Sequence, residues 1–196
     1  MTDIGNMTYF LEMKIMYSKK GIILHQLKYK LELLKIFELL NFKVMVTPSE
    51  TKQKLDYDHE GDDVDATTFK QLVGSLRYLC NTIPDIFYVV GMVNRFLSKP
   101  KWSHYQAVVR ILRYIKGTLK YGVFFPSGEK ENPELMCYSD SDWCGDIVDI
   151  RSTYGYLFKY LGGPISWYCG CMSSCVASEF TARSEDQGRQ ASEADD

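Results

Sequence analysis

The sequence has few histidines, no long apolar stretch and no signal peptide pattern at its start. It contains three histidines and six prolines among 196 residues, and its longest apolar stretch, residues 86–93, is too short to span a bilayer. The first residues lack the basic and apolar regions of a signal peptide. Six cysteines without a secretory context favour reduced thiols. These absences predict an intracellular protein, cytoplasmic or nuclear, that is neither secreted nor associated with a membrane.

A cluster of three cysteines follows the last apolar strand-like segment. Cys169, Cys171 and Cys175 have the spacing C-x-C-x₃-C, and no histidine lies nearby. This is not a common zinc-binding pattern, because structural zinc sites use four ligands in characteristic pairs. The role of the three thiols is left open by the sequence.

Composition favours a folded protein whose charges are unevenly distributed. Apolar residues make up 45% of the sequence and aromatic residues 14%, which is typical of a packed domain. The formal net charge of −2 hides two opposite regions. From Arg95 to Lys120 there are seven lysines or arginines and no acid, whereas from Glu179 onward there are six acids and two arginines. The chain therefore has a basic segment and an acidic end.

The spacing of apolar residues predicts an α+β fold. Alternation in residues 8–16 and 21–24 predicts an N-terminal hairpin, and the period of residues 26–40 predicts an amphipathic helix. A polar linker follows, and helical periodicity returns in the middle of the chain. Those three helices are predicted at residues 66–80, 86–97 and 105–119.

After residue 120 the apolar period changes to two. The segments "YGVFF", "ELMCYSD", "TYGYLFKYL" and "PISWYC" predict a small antiparallel sheet from about residue 121 to 168, whose central strand ends near Asp140. A last helix is predicted over residues 173–190. The predicted organisation has four parts: residues 1–48, a linker at 49–65, a helical segment at 66–120, and the sheet with one helix at 121–196.

The third central helix carries cations on the face opposite its apolar residues. They are Arg110, Arg113, Lys116 and Lys120. An ordinary solvated helix face mixes charges of both signs, but no acid lies anywhere between residues 95 and 120. A face of one sign, with Trp102 and Tyr105 nearby, suits a phosphate backbone. Both interpretations, solvated face and nucleic-acid contact, remain open at this point.

The segment "YSDSDWCGD" places Asp140 and Asp142 at the end of a predicted strand. A calcium loop is excluded, because its fifth and twelfth positions are Cys144 and Arg151 where acidic ligands are required. Strand residues two apart point to the same side, so the two carboxylates could form part of a metal site at the strand end. The alternative is that Asp-Ser-Asp only begins a turn.

Several long motifs resemble the Pol polyprotein of copia-type retrotransposons, over nearly the whole chain to about residue 183. The matching segments run in the expected order. They are "LHQLKYKLELLKIFELLNFKVMVTP", "FKQLVGSLRYLCNTIPDIFYVVGMVNRFLSKPKWSHYQAVVRILRYIKGTLKYGVFF" and "YSDSDWCGDIVDIRSTYGYLFKYLGGPISW". The first resembles the end of the reverse transcriptase, the second the connection region, and the third the first three strands of ribonuclease H.

The resemblance implies an RNA–DNA hybrid nuclease that uses two Mg²⁺ ions. It assigns Asp140 to the first-strand carboxylate and Glu179, in "ASEFTA", to the helix carboxylate. Asp142, two residues from Asp140 on the same predicted strand, is a further candidate metal ligand by its spacing. It also implies that the central helices bind the hybrid, or single-stranded nucleic acid, through Arg110, Arg113, Lys116 and Lys120.

Departures from the family pattern lead us to expect a fragment that is inactive alone. The Tyr-Val-Asp-Asp strand of the polymerase is absent, and the next ribonuclease H carboxylate, expected beyond the last helix, is absent as well. Glu12 stands where the family usually has glycine, and Ile83 where it usually has arginine. The alternative is a nonenzymatic module that binds nucleic acid or protein through the helical segment.

Overall fold

The computed structural model describes residues 5–50, 55, 61–128, 134–142 and 151–173. Within them the predicted α+β class is confirmed by four α-helices and two antiparallel sheets. The strands are β1 (Tyr9–Phe10), β2 (Met13–Ser18), β3 (Gly21–His25), β4 (Val123–Pro126), β5 (Leu135–Asp142), β6 (Arg151–Tyr160) and β7 (Gly163–Ser173). The helices are α1 (Leu27–Ile36), α2 (Ala66–Leu79), α3 (Phe87–Asn94) and α4 (Trp102–Gly117). The predicted helix at 173–190 falls almost entirely outside the described residues.

The first sheet has the strand order β1-β2-β3-β4 and contains the predicted hairpin, β2 and β3. The segment "YGVFF" was expected in the second sheet, and that prediction is wrong: β4 pairs with β3, with Leu24 opposite Val123. The cause is the position of the turn after α4. Lys30 of α1 donates a hydrogen bond to the carbonyl of Tyr121, which brings the following residues alongside β3.

The tight turn between β1 and β2 explains why the family pattern has glycine at the position of Glu12. Leu11 and Glu12 have φ angles of +45° and +57°, the left-handed region that glycine adopts at the least cost. Glu12 occupies the position where the resemblance places glycine. Its carboxylate accepts a hydrogen bond of 2.5 Å from the Tyr9 hydroxyl, a contact that helps to hold the strained turn.

The four helices surround the main hydrophobic core. Helix α2 begins after Asp65, whose side chain accepts a hydrogen bond of 2.7 Å from the Thr68 amide, the usual arrangement at a helix start. Apolar residues three and four apart on α2 and α4 then meet in the core. The fully buried ones include Phe69, Leu72, Leu76, Val108, Ile111, Leu112 and Ile115. In the described ranges, no helix has the length and apolar character needed to cross a membrane.

Helix α1 is shorter than its apolar period predicts. The predicted helix extended to residue 40, but α1 ends at Ile36 and is followed by a 3₁₀ turn at Leu39–Asn41. The break occurs because Glu38 adopts a left-handed φ of +55°. From there residues 42–50 turn toward helix α4.

Helix α1 also carries polar side chains into the core. Lys30 is fully buried, and its ammonium donates hydrogen bonds to the carbonyls of Thr118, Leu119 and Tyr121 at 3.3, 3.4 and 2.8 Å. These carbonyls follow the end of α4, where no helical partner is available to them. Burial lowers the pKa of Lys30 to about 8. Lys30 of α1 therefore caps the C-terminal end of α4.

The second part of the predicted linker is ordered against the start of α4. The amide of Val64 donates a hydrogen bond to the carbonyl of Pro100, and the amide of Trp102 donates one to the carbonyl of Asp62. The Lys101 ammonium lies 2.9 Å from the Asp63 carboxylate. Residues 51–54 and 56–60 of the linker lie outside the described residues. The four-part division of the chain stays a prediction.

The second sheet has the strand order β5-β6-β7, with β6 in the middle. The strand that carries Asp140 was expected to be central, and in the described sheet this is wrong, because no described strand pairs with the other edge of β5. The strand-like alternation is confirmed for residues 135–142 and 151–168, and the residues between them lie outside the described ranges.

Strand β7 attaches the second sheet to the helices. The indole nitrogen of Trp167 donates a hydrogen bond of 3.0 Å to the carbonyl of Cys80, just beyond the end of α2. The rings of Phe87 and Tyr168 pack with centroids 5.9 Å apart. Gly163 lies against β4, where a Cβ would come within 3.0 Å of the Pro126 ring. The sheet therefore contacts both the helical core and the first sheet.

Candidate carboxylate site and nucleic-acid interface

The candidate carboxylates lie at the end of β5. Asp140 pairs in register with Gly155 of β6, and Asp142 pairs with Thr153. The Asp140 side chain is exposed. Gly155 is closely packed, since a Cβ there would come within 3.3 Å of the Tyr168 carbonyl oxygen. The predicted strand-end position of both residues is therefore correct.

The described residues do not assemble a complete metal site. Glu179 lies outside them, and so does the side chain of Asp142. Among the described residues there is no group of three or more histidine, cysteine or acidic side chains that could hold a metal ion. The exposed carboxylate of Asp140 has the oxygen donors that Mg²⁺ prefers, and it fits one position of a largely hydrated ion. It does not by itself fit the two-ion arrangement implied by the resemblance.

Only part of the cysteine cluster lies within the described residues. Cys169 is half buried on β7 and forms no disulfide bond in the described part of the chain, the side chain of Cys171 is outside the described residues, and Cys175 is outside them entirely. Cys80 and Cys137 form no disulfide bond with any described residue.

Three of the four predicted phosphate-binding cations contact the 42–50 segment. The guanidinium of Arg110 pairs with the Glu50 carboxylate at 2.8 Å and donates a second hydrogen bond, of 3.1 Å, to the Thr47 hydroxyl. Arg110 is also largely covered, with 18% of its side chain exposed. An acid distant in sequence therefore neutralises the first cation of the basic face.

The next two cations bind backbone carbonyls of the same segment. Arg113 donates a hydrogen bond of 2.7 Å to Lys43, and Lys116 donates one of 2.5 Å to Phe42. In return, the amide of Met45 donates a hydrogen bond to the carbonyl of Arg113. These bonds satisfy a stretch of chain that has no regular secondary structure. The basic face of α4 thus has a structural role that the sequence did not reveal.

Exposed cations remain at both ends of α4. Lys99 and Lys120 are exposed, and neither makes a hydrogen bond or ion pair within the part of the chain that the structure describes. Beside Lys99, the Trp102 ring is half exposed and stacks on Tyr105 with centroids 5.4 Å apart. Exposed aromatic rings next to cations suit the stacking of unpaired bases.

Replacing Lys120 with alanine is expected to reduce the salt dependence of nucleic-acid binding without changing stability. Each lost phosphate contact lowers the slope of log affinity against log salt by about 0.9 for a duplex. The slope is measured by fluorescence anisotropy with a labelled hybrid at several salt concentrations. Arg113→Ala is the contrasting variant, because it also removes the bond to Lys43 and should lower the melting temperature. Equal slopes for Lys120→Ala and the unmodified chain would contradict a phosphate contact there.

Arg77, a cation with no role predicted from the sequence, lies near the second sheet. Arg77 is exposed at the end of α2 and donates a hydrogen bond of 3.4 Å to the Asn94 side chain of α3. In the sequence, Arg77 could have been noticed in "GSLRYLC", because it lies on a predicted helix with only one other charged residue, Lys70. Its neighbours on β6 and β7 are distant in sequence, so this environment could not be predicted.

The sequence matches no family model, and no solved structure matches the chain. It is 38% identical to the retrovirus-related Pol polyproteins from transposons RE2 and RE1 of Arabidopsis thaliana, over 89% and 92% of its length. The chain spans 12% of each of these two proteins. The mitochondrial protein AtMg00810 of the same plant is 35% identical over 85% of this chain and 68% of its own length.

The relatives named as Pol polyproteins identify the chain as part of a retroelement polyprotein. The chain belongs to the Pol polyprotein family of copia-type retrotransposons.

Proposed function

We propose that this chain is the part of a copia-type Pol polyprotein that binds RNA–DNA hybrid, extending from the end of the reverse transcriptase into ribonuclease H. The supporting observation is the second sheet: three consecutive antiparallel strands, with Asp140 at the end of the first. This is the arrangement that the resemblance implies for the start of a ribonuclease H domain. Strand β7 holds that sheet against the helices of the proposed connection region.

The ancestral reaction is cleavage of the RNA strand of a hybrid, and we propose that this chain alone is inactive. Asp140, with Asp142 and Glu179, would hold Mg²⁺, which when bound stabilises the attacking and leaving oxygens. Two ions about 4 Å apart need several carboxylates in defined positions. The described residues contribute one carboxylate of defined position, and it is exposed on an edge strand.

The purified chain is therefore expected not to cleave an RNA–DNA hybrid at a significant rate in Mg²⁺ or Mn²⁺. The assay follows a labelled hybrid on a denaturing gel, with Asp140→Asn as the matched variant. Weak Mn²⁺ binding that is lost in Asp140→Asn agrees with the proposal. Robust cleavage that Asp140→Asn abolishes would show that the chain retains an active site.

The second candidate is a nonenzymatic module that binds single-stranded nucleic acid or protein. The observation that favours it is the half-exposed Trp102 ring, which stacks on Tyr105 and lies three residues after the exposed Lys99 in the sequence. A single strand bound as tightly as a hybrid, with Trp102→Ala weakening the single strand more, would support the module. A clear preference for the hybrid would support the first candidate.

A further inference from the structure

A cavity of about 470 Å³ lies where helices α2 and α3 face strands β6 and β7. Arg77 and Asn81 come from the end of α2, and Arg95 follows α3. Thr153 and Cys169 complete the wall from the sheet. The cavity therefore exists only because the second sheet is held against the helices.

The walls of the cavity favour an anion. Two arginines, Arg77 and Arg95, line it, and none of the described lining residues is acidic. A guanidinium has five donors in a planar fork, and the single 3.4 Å bond from Arg77 to Asn94 engages one of them. The charge of Arg77 also acts on the nearby Cys80 thiol. Burial raises the pKa of Cys80 to about 12, and Arg77 lowers that pKa by a smaller amount.

Two of the sheet residues that line the cavity, Thr153 and Cys169, lie on the same face of the sheet as Asp140, whereas Tyr168 and Gly170 lie on the other face. Asp140 lies opposite Gly155, and Gly155 lies opposite Cys169. Directly opposite residues of antiparallel strands project to the same face. Two strand spacings separate Asp140 from Cys169, a distance of about 10 Å. One nucleic-acid strand, which carries a phosphate about every 3.4 Å along its axis, spans that distance in about three nucleotides.

We propose that the cavity binds a backbone phosphate of the nucleic-acid strand that passes Asp140, about three nucleotides from that residue. The guanidinium of Arg77 supplies charged donors to the phosphate oxygens. The Tyr88 ring also lines the cavity and is half exposed, so an aromatic side chain lies close to the proposed phosphate position. This inference rests on the proposed function and adds a second anchoring point to it.

Two variants test the site by different means, each with a matched control. Arg77→Gln removes the charge, and Lys70→Gln removes an exposed cation from the same helix at a position outside the cavity. Gly91→Leu fills the space, because a Cβ at Gly91 meets nothing within 4 Å and the residue lines the cavity. Gly74→Leu makes the same change on α2, where a Cβ also meets nothing within 4 Å. Both leucines replace helical glycines, which should not reduce helix stability.

The ligands are a labelled RNA–DNA hybrid, measured by anisotropy, and inorganic phosphate, followed by NMR amide shifts of the full chain. We expect Arg77→Gln and Gly91→Leu to weaken hybrid binding about tenfold and the two controls to leave it unchanged. Phosphate should shift the amides of Thr153 and Cys169 in the unmodified chain but not in Arg77→Gln. Circular dichroism establishes that each variant is folded.

The outcomes separate this inference from the proposed function. Hybrid binding that is equal in all four variants overturns the cavity site and leaves the proposed function standing. Absence of hybrid binding by the unmodified chain, together with phosphate shifts that Arg77→Gln abolishes, refutes the proposed function and leaves a site for small phosphates. Absence of both signals overturns both.

Discussion

Replacing Trp167 with alanine is expected to lower the free energy of unfolding by about 3 kcal/mol and to release the second sheet from the helices. Trp167 is half buried, and truncation of a tryptophan in a core costs about 3–5 kcal/mol. Part of the loss comes from the carbonyl of Cys80, which no longer receives the indole hydrogen bond. Denaturant unfolding measures the change in stability, and hydrogen exchange of residues 151–173 measures the loss of protection.

Two further variants separate packing from hydrogen bonding at this position. Trp167→Phe retains an aromatic ring without the N–H donor, and we expect a cost of about 1 kcal/mol. Ile165→Ala lies on the same strand, is half exposed, and should change stability by less than about 0.5 kcal/mol. Unchanged protection of β7 in Trp167→Ala would mean that the sheet is held by other contacts.

Replacing Lys30 with methionine is expected to lower the free energy of unfolding by about 2 kcal/mol. The methionine has a side chain of similar length but removes the ammonium donor from the carbonyls of Leu119 and Tyr121, while the Thr118 carbonyl keeps its bond from the Tyr121 amide. Hydrogen bonds to a charged group contribute roughly 1.5–3 kcal/mol each. Burial of the ammonium lowers the pKa of Lys30 to about 8, so removing the charge recovers part of that loss.

The control is Lys28→Met on the same helix, where the side chain is largely exposed and its ion pairs with Glu12 and Glu32 are long. A change of less than about 0.5 kcal/mol is expected there. Both variants are measured by denaturant unfolding at pH 7. A Lys30→Met protein as stable as the unmodified chain would show that water replaces the ammonium at the carbonyls of Leu119 and Tyr121.

Secondary structure and family were within reach of the sequence because both depend on local patterns. The apolar residues of α2 and α4 recur every three or four positions, and that period alone predicts which face of each helix is buried. Alternation likewise predicted β5, β6 and β7. Asp140 and Asp142 were placed correctly at the end of β5 for the same reason.

The partners of those elements could not be read from the same patterns. The period of β4 predicted a strand but assigned it to the wrong sheet, because pairing with β3 joins segments about a hundred residues apart. The charges of Arg110, Arg113 and Lys116 indicated a phosphate-binding face. In the folded chain, residues 42–50 form an ion pair or hydrogen bonds with all three cations. The helical period of the sequence gives no information about these contacts.

Local sequence was therefore sufficient for the elements, the α+β class and the relationship to copia-type Pol polyproteins. The arrangement in space was needed to find Lys30 at the end of α4, Trp167 between sheet and helices, and the cavity beside Arg77. The physical reason is the same in each case. A periodic pattern reports that one face of an element is buried, whereas the residue that covers it is chosen by contacts between distant parts of the chain.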